Sequence, residues 1–147
     1  ARDELIGRYL RPRPDPAMAA LLRAYASAAL DISDGLVQDA EKLARGAESA
    51  LAIAFADLPL SSGARHIASL DAAWRRAVAS GGDDYEVLFA VPPERGAGLA
   101  TASRAARMQI TKIGVLQEGE GVRVYGPDGQ AMRFLRGGYD HFAGDGR

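Results

Sequence analysis

The stretch Ala28-Ala29-Leu30-Asp31-Ile32-Ser33-Asp34-Gly35-Leu36 constrains the fold more than any other part of the chain. Its apolar start, rich in Ala, Leu and Ile, reads as a buried strand end. It passes at once through Asp31, Ser33, Asp34 and Gly35 into a helical pattern. Leu36, Val37, Ala40, Leu43 and Ala44 recur at the spacing of one helix face, with Gln38, Asp39, Glu41 and Lys42 on the other. Two carboxylates and a hydroxyl therefore sit at a strand-to-helix junction, where the first N–H groups of a helix lack partners and favour anions. Carboxylates there can hold Mg²⁺, and the amides together with Ser33 can hold phosphate oxygens. The same residues also suit an ordinary helix start, with Ser33 or Asp34 as N-cap and Asp31 facing water.

Around this junction the pattern alternates between strand and helix. Leu5, Ile6, Tyr9 and Leu10 have helical spacing, and Arg11-Pro12-Arg13-Pro14 forbids its continuation, so residues 1–14 read as a lead-in helix and linker. Asp15-Pro16 opens a helix whose buried stripe is Met18, Leu21, Leu22 and Tyr25. After the junction helix, with Gly46 as its expected C-cap, Leu51, Ile53 and Phe55 alternate as a strand over 49–56. A weak helical stretch over 64–70 contains His66. A helix over 70–79 is expected to start at Ser69 and to turn Leu70, Ala73, Trp74, Ala77 and Val78 inward. Val87 to Val91 reads as a central strand, and Pro92-Pro93-Glu94 starts a helix that runs to about Arg107. Ile110 to Leu116 is a strand in which Gly114 marks a bulge or a close backbone approach. Val122–Tyr125, the turn Gly126-Pro127-Asp128-Gly129, and Met132 with Phe134 predict a surface hairpin.

Several chemistries are excluded. The formal charge of −1 gives no electrostatic case for nucleic acid or an anionic membrane. With no cysteine there is no disulfide, thiolate metal site or Cys nucleophile, which fits a reducing cytoplasm. No apolar run approaches the roughly 20 residues needed to span a bilayer. A lone His66 has no neighbouring histidine with which to bind metal, and no Gly-x-x-x-x-Gly-Lys-Ser/Thr loop is present.

Two further clusters carry chemistry. Gly81-Gly82-Asp83-Asp84-Tyr85-Glu86 precedes a strand, and its glycines permit positive φ and close approach to a ligand. A carboxylate there can accept from an amine on a heterocycle, or tie its own loop. In Gly137-Gly138-Tyr139-Asp140-His141-Phe142 the aromatic residues either cover apolar surface or stack on a flat ring, and a cationic ring would gain most.

These three motifs, in this order across residues 31 to 142, resemble the C-terminal half of the thiamine-monophosphate kinase family. Its superfamily includes aminoimidazole ribonucleotide synthetase, selenophosphate synthetase and a hydrogenase-maturation protein. Those relatives begin the junction with Asp-Pro-Thr or Asp-Val-Thr, so the Ile-Ser-Asp-Gly form points to the thiamine branch. The resemblance implies an α+β fold with α/β-type alternation, a mixed sheet with packed helices. It would be like the C-terminal domain of aminoimidazole ribonucleotide synthetase and partly ferredoxin-like. Residues 1–14 would then lead from a missing N-terminal domain. Residues 15–142 would be the substrate- and phosphate-binding domain, and 143–147 a frayed tail.

The implied activity is transfer of the ATP γ-phosphoryl to thiamine monophosphate, with Mg²⁺, giving thiamine diphosphate. Asp31 and Asp34 fall at metal positions, Ser33 at a nucleotide phosphate, and Asp83 and Tyr139 at thiamine phosphate. The family usually has Glu at the position of Asp83. No residue is assigned as acid, base or nucleophile, because a phosphate acceptor is already ionised. The whole protein is expected to be a cytoplasmic homodimer, and the fragment alone to be inactive. The alternatives are a sister ATP-dependent enzyme (hydrogenase maturation, selenophosphate or purine synthesis) and a non-catalytic ligand-sensing domain.

Overall fold

The computed structural model describes residues 16–82 and 86–134. The lead-in helix and linker, Asp83, Asp84 and Tyr85, and the tail motif with Tyr139 lie outside the described residues.

Helix α1 spans Pro16–Tyr25, and its stripe turns Leu21 inward. It packs on α5 (Gly96–Ala105), where the Tyr25 ring lies so close to Gly98 that a Cβ there would come within 2.9 Å of Cε1. Strand β1 is Ala28–Ile32 and the junction helix α2 is Leu36–Gly46. Next come β2 (Ala50–Ala54), a 3₁₀ turn at Phe55–Asp57, and the packed pair α3 (Ser62–Leu70) and α4 (Ala72–Ser80). Strand β3 (Glu86–Ala90), a 3₁₀ turn at Pro93–Arg95, α5, β4 (Gly114–Gln117) and β5 (Val122–Tyr125) complete the order.

Among the described residues the strands form two sheets rather than one. β1 and β3 make an antiparallel pair, and a three-stranded mixed sheet has the order β4-β2-β5. In it β4 runs antiparallel to β2 and β5 runs parallel. The expected α+β fold of helices on a mixed sheet is thus present. The apolar face of α2 (Leu36, Val37, Ala40, Leu43, Ala44) joins Ile32, Leu51, Ile53, Phe55, Leu88 and Val124 in one core. Gly114 marks a close backbone approach, since a Cβ there would lie 2.2 Å from the Ala52 carbonyl oxygen on the neighbouring strand.

Five expectations are corrected. β3 is not central: its described partner is β1 alone, and Val87 is exposed. Of the run that leads into Asp31, Ala28 and Ala29 are exposed and Leu30 is half-buried, and the buried residue is Ile32 after it. The predicted hairpin keeps its turn, with the Gly129 amide donating to the Gly126 carbonyl, but its return strand shrinks to one bridge from Ala131 to Tyr125. β5 instead takes β2 as its partner, which buries Val124. α4 starts at Asp71, whose carboxylate accepts from the Trp74 amide at 2.9 Å, while the Ser69 hydroxyl donates within α3 to the His66 carbonyl. That start turns Ala79 inward and leaves Leu70 and Trp74 exposed. The left-handed residue after α2 is Glu48 rather than a glycine.

Candidate functional site

The junction is built by three constraints that meet at Ser33-Asp34-Gly35. β1 ends at Ile32, which pairs with Glu86 at the start of β3, so the first two motifs lie side by side. Gly35 then takes φ 111° as the residue before α2, a conformation open to glycine and strained for other residues. A Cβ on Gly35 would also lie 2.4 Å from the Ser80 carbonyl oxygen. On the other side, a Cβ on Gly82 would come within 2.7 Å of the Ser33 carbonyl oxygen. The two loops thus touch backbone to backbone. Neither Gly81 nor Gly82 has positive φ, so the second motif uses its glycines for contact and not for a left-handed turn.

No side chain caps α2: Gly35 is the N-cap residue, so neither Ser33 nor Asp34 plays that part. The residue that satisfies the loop is Asp39, which sequence reading placed on the polar face. Its carboxylate is 1% exposed. Oδ2 accepts from the amides of both Ser33 and Asp34 at 2.9 Å. Oδ1 accepts from Lys42 Nζ at 2.7 Å, and the same ammonium donates to Asp34 Oδ2 at 2.6 Å. These hydrogen bonds, first to Asp34 and then to Asp39, hold the Lys42 ammonium above the usual lysine range. The amides of Ser33 and Asp34 are therefore already engaged, so phosphate oxygens would meet the Ser33 hydroxyl and the first turn of α2 instead. A signal for Asp39 did exist. It lies three residues after Leu36 and four before Leu43, which puts it at the edge of the apolar stripe and not opposite it.

Of the residues singled out from sequence, Asp31 is exposed on β1 opposite Val87, while Ser33 and Asp34 are half-buried in the loop. Asp83 and Tyr139 lie outside the described residues. Asp31 and Asp34 offer hard oxygen donors of the kind Mg²⁺ takes, and Mg²⁺ commonly completes its shell with water and phosphate oxygens. Among the described residues no group of three or more His, Cys, Asp or Glu could enclose a metal ion. A separate cleft of about 570 Å³ lies beside the other end of α2 and is lined by Glu41, Arg45, Glu48 and Glu120. Three carboxylates make it a poor receptor for a nucleotide, and it contains none of the motif residues.

No family model matches the chain. The thiamine-monophosphate kinase of Caulobacter vibrioides is 37% identical to it over 126 residues, covering 82% of this chain and 35% of that kinase. The solved structure of AaThiL complexed with AMPPCP and TMP superposes with a TM-score of 0.74 at 34% identity, over 95% of this chain and 41% of the other. By sequence and by fold, the chain matches part of a thiamine-monophosphate kinase. It spans well under half the length of the thiamine-monophosphate kinases it matches. HypE of Escherichia coli, a hydrogenase maturation protein, has a TM-score of 0.64 at 20% identity, over 84% of this chain and 40% of its own, and shares the fold alone. Among the described residues no helix is long and apolar enough to cross a membrane.

Proposed function

We propose that this chain is the C-terminal part of an enzyme that transfers the γ-phosphoryl group of ATP to thiamine monophosphate, giving thiamine diphosphate. The observation that carries the reading is the 34% identity and 0.74 TM-score to AaThiL, solved with AMPPCP and TMP, over 95% of this chain. The junction geometry agrees with it. Phosphoryl transfer asks mainly for positioning and charge neutralisation. The strand-to-helix loop is held rigidly on one side by Asp39 and on the other by Gly82.

In this reading Asp31 and Asp34 hold Mg²⁺, and Ser33 donates its hydroxyl to a nucleotide phosphate oxygen. The ion, when bound, neutralises charge on the transferring phosphate. Lys42 gives up Asp34 to the ion and keeps Asp39. Asp83 binds thiamine phosphate, and Tyr139 stacks on its cationic ring. The acceptor phosphate attacks without a dedicated base. The remaining length of the protein supplies the rest of the nucleotide site and the contact of a cytoplasmic homodimer, so residues 15–142 by themselves do not turn over.

The test supplies the full kinase length and follows thiamine diphosphate formation from thiamine monophosphate and Mg·ATP, with Asp31→Asn beside the parent. The expected loss is on the order of a hundredfold. An active parent with an unharmed Asp31→Asn removes Asp31 from the metal site. An inactive parent removes the kinase reading.

A further inference from the structure

Asp39 is a buried charge on α2, and the transfer chemistry above gives it no part. Burying a carboxylate costs several kcal/mol unless it is paired and hydrogen-bonded. Here the compensation comes from Lys42, one turn along the same helix, and from two amides outside it. Both amides that Oδ2 accepts belong to the loop that precedes the helix. The Ser33 residue is gripped twice, with its N–H on Asp39 and its carbonyl oxygen against Gly82. The Asp34 side chain is tied back to the same carboxylate through the shared Lys42 ammonium. With the backbone fixed on both faces, few directions remain for the Ser33 hydroxyl and the Asp34 carboxylate.

We propose that Asp39 is a positioning residue for the nucleotide and metal end of the site. It presets the backbone of the loop, so that on binding of Mg·ATP the Lys42–Asp34 ion pair opens while the Ser33 and Asp34 amides stay in place. The proposal rests on the reading of Ser33 and Asp34 as ligand groups. It adds that their placement depends on a carboxylate that touches neither ligand.

The informative variant is Asp39→Asn, which keeps the shape and one carbonyl oxygen. That oxygen can serve the two amides or Lys42, but not both, and the new amide nitrogen is a donor facing donors. In the full-length kinase, KM for Mg·ATP should rise about tenfold while KM for thiamine monophosphate stays within about twofold. A purely structural role would lower the melting temperature and the active fraction and leave both KM values alone. An unchanged KM for Mg·ATP overturns the proposal.

Amide hydrogen exchange gives a readout that needs no turnover. At Ser33 and Asp34 it should speed up about tenfold or more in Asp39→Asn, while the amides of β2 keep their protection. Unchanged exchange at those two amides overturns the proposal whether or not the parent is a kinase. Should Asp39→Asn unfold, Gly82→Ala presses on the Ser33 carbonyl from the opposite side. It should raise KM for Mg·ATP in the same way, and no change there is again an overturning result.

Discussion

β2 buries Leu51 and Ile53 between two partner strands, and Phe55 continues the same face. β1 has one described partner, and of its residues Ile32 is buried while Ala28, Ala29 and Asp31 are exposed. The three-stranded sheet is held by apolar side chains from both flanks and from α2. The two-stranded pair sends Ile32 and Leu88 into the same core, and at its end Gly35 and Gly82 let two loops meet and Asp39 fastens the turn. Packing stabilises one region, and hydrogen bonds with backbone contact shape the other. Exposed strand ends and an engaged, polar loop are what a charged ligand needs, and a fully packed strand cannot offer them.

If that contrast is right, Ile53→Ala should be the most damaging substitution. Its side chain is fully buried, and such truncations cost about 2–5 kcal/mol. Leu30→Ala in half-buried β1 should cost about 1 kcal/mol. Equal losses in urea denaturation would break the comparison.

Gly35→Ala comes next, at about 2 kcal/mol, from a left-handed φ and a clash with the Ser80 carbonyl. Its loss should also exceed that of Gly46→Ala, where a Cβ meets nothing within 4 Å.

A smaller effect is expected at Lys42. Because Asp34 and then Asp39 raise its ionisation, the folded protein holds that proton more tightly than the unfolded chain. The stability this contributes is complete below the unfolded lysine value of about 10.4 and is lost as pH rises through the higher folded value. Above pH ~10 the melting temperature of the parent should therefore fall more steeply than that of Lys42→Met. Parallel melting curves would show that the shared ammonium does not stabilise the loop.

The smallest change is expected at Trp74→Ser, within about 0.5 kcal/mol in the same denaturation assay, because the ring is half exposed on α4. A large loss would mean that α4 packs more tightly than its exposure indicates.

What could be read from sequence follows the same division. The face of α2, the alternation of β2 and the meaning of Gly114 were legible because side-chain period and glycine spacing record burial and close approach directly. Trp74 and Leu70 were misjudged because α4 starts at Asp71, and moving a helix start turns the face that packs. The exposure of β3 was hidden for a different reason: an apolar run states that a strand wants cover, not how many strands supply it. Asp39 stands at the edge of the apolar stripe, but that position does not reveal that its carboxylate turns back to two backbone amides, which leave no letter in a sequence. Asp31, Ser33 and Asp34 stood out through their motif, and the strand end and loop that carry them are where the structure puts two motifs together.

The position of β2 between β4 and β5 also bears on how the chain is made. Both neighbours lie more than sixty residues downstream, at 114–117 and 122–125. A nascent chain released to fold as far as the end of α5 has its most buried strand in hand and neither edge covered. Such long-range pairing is slow, and uncovered strand edges invite association with other chains. Premature termination after α5 but before β4 should thus yield aggregates in the cell rather than a shortened but soluble domain.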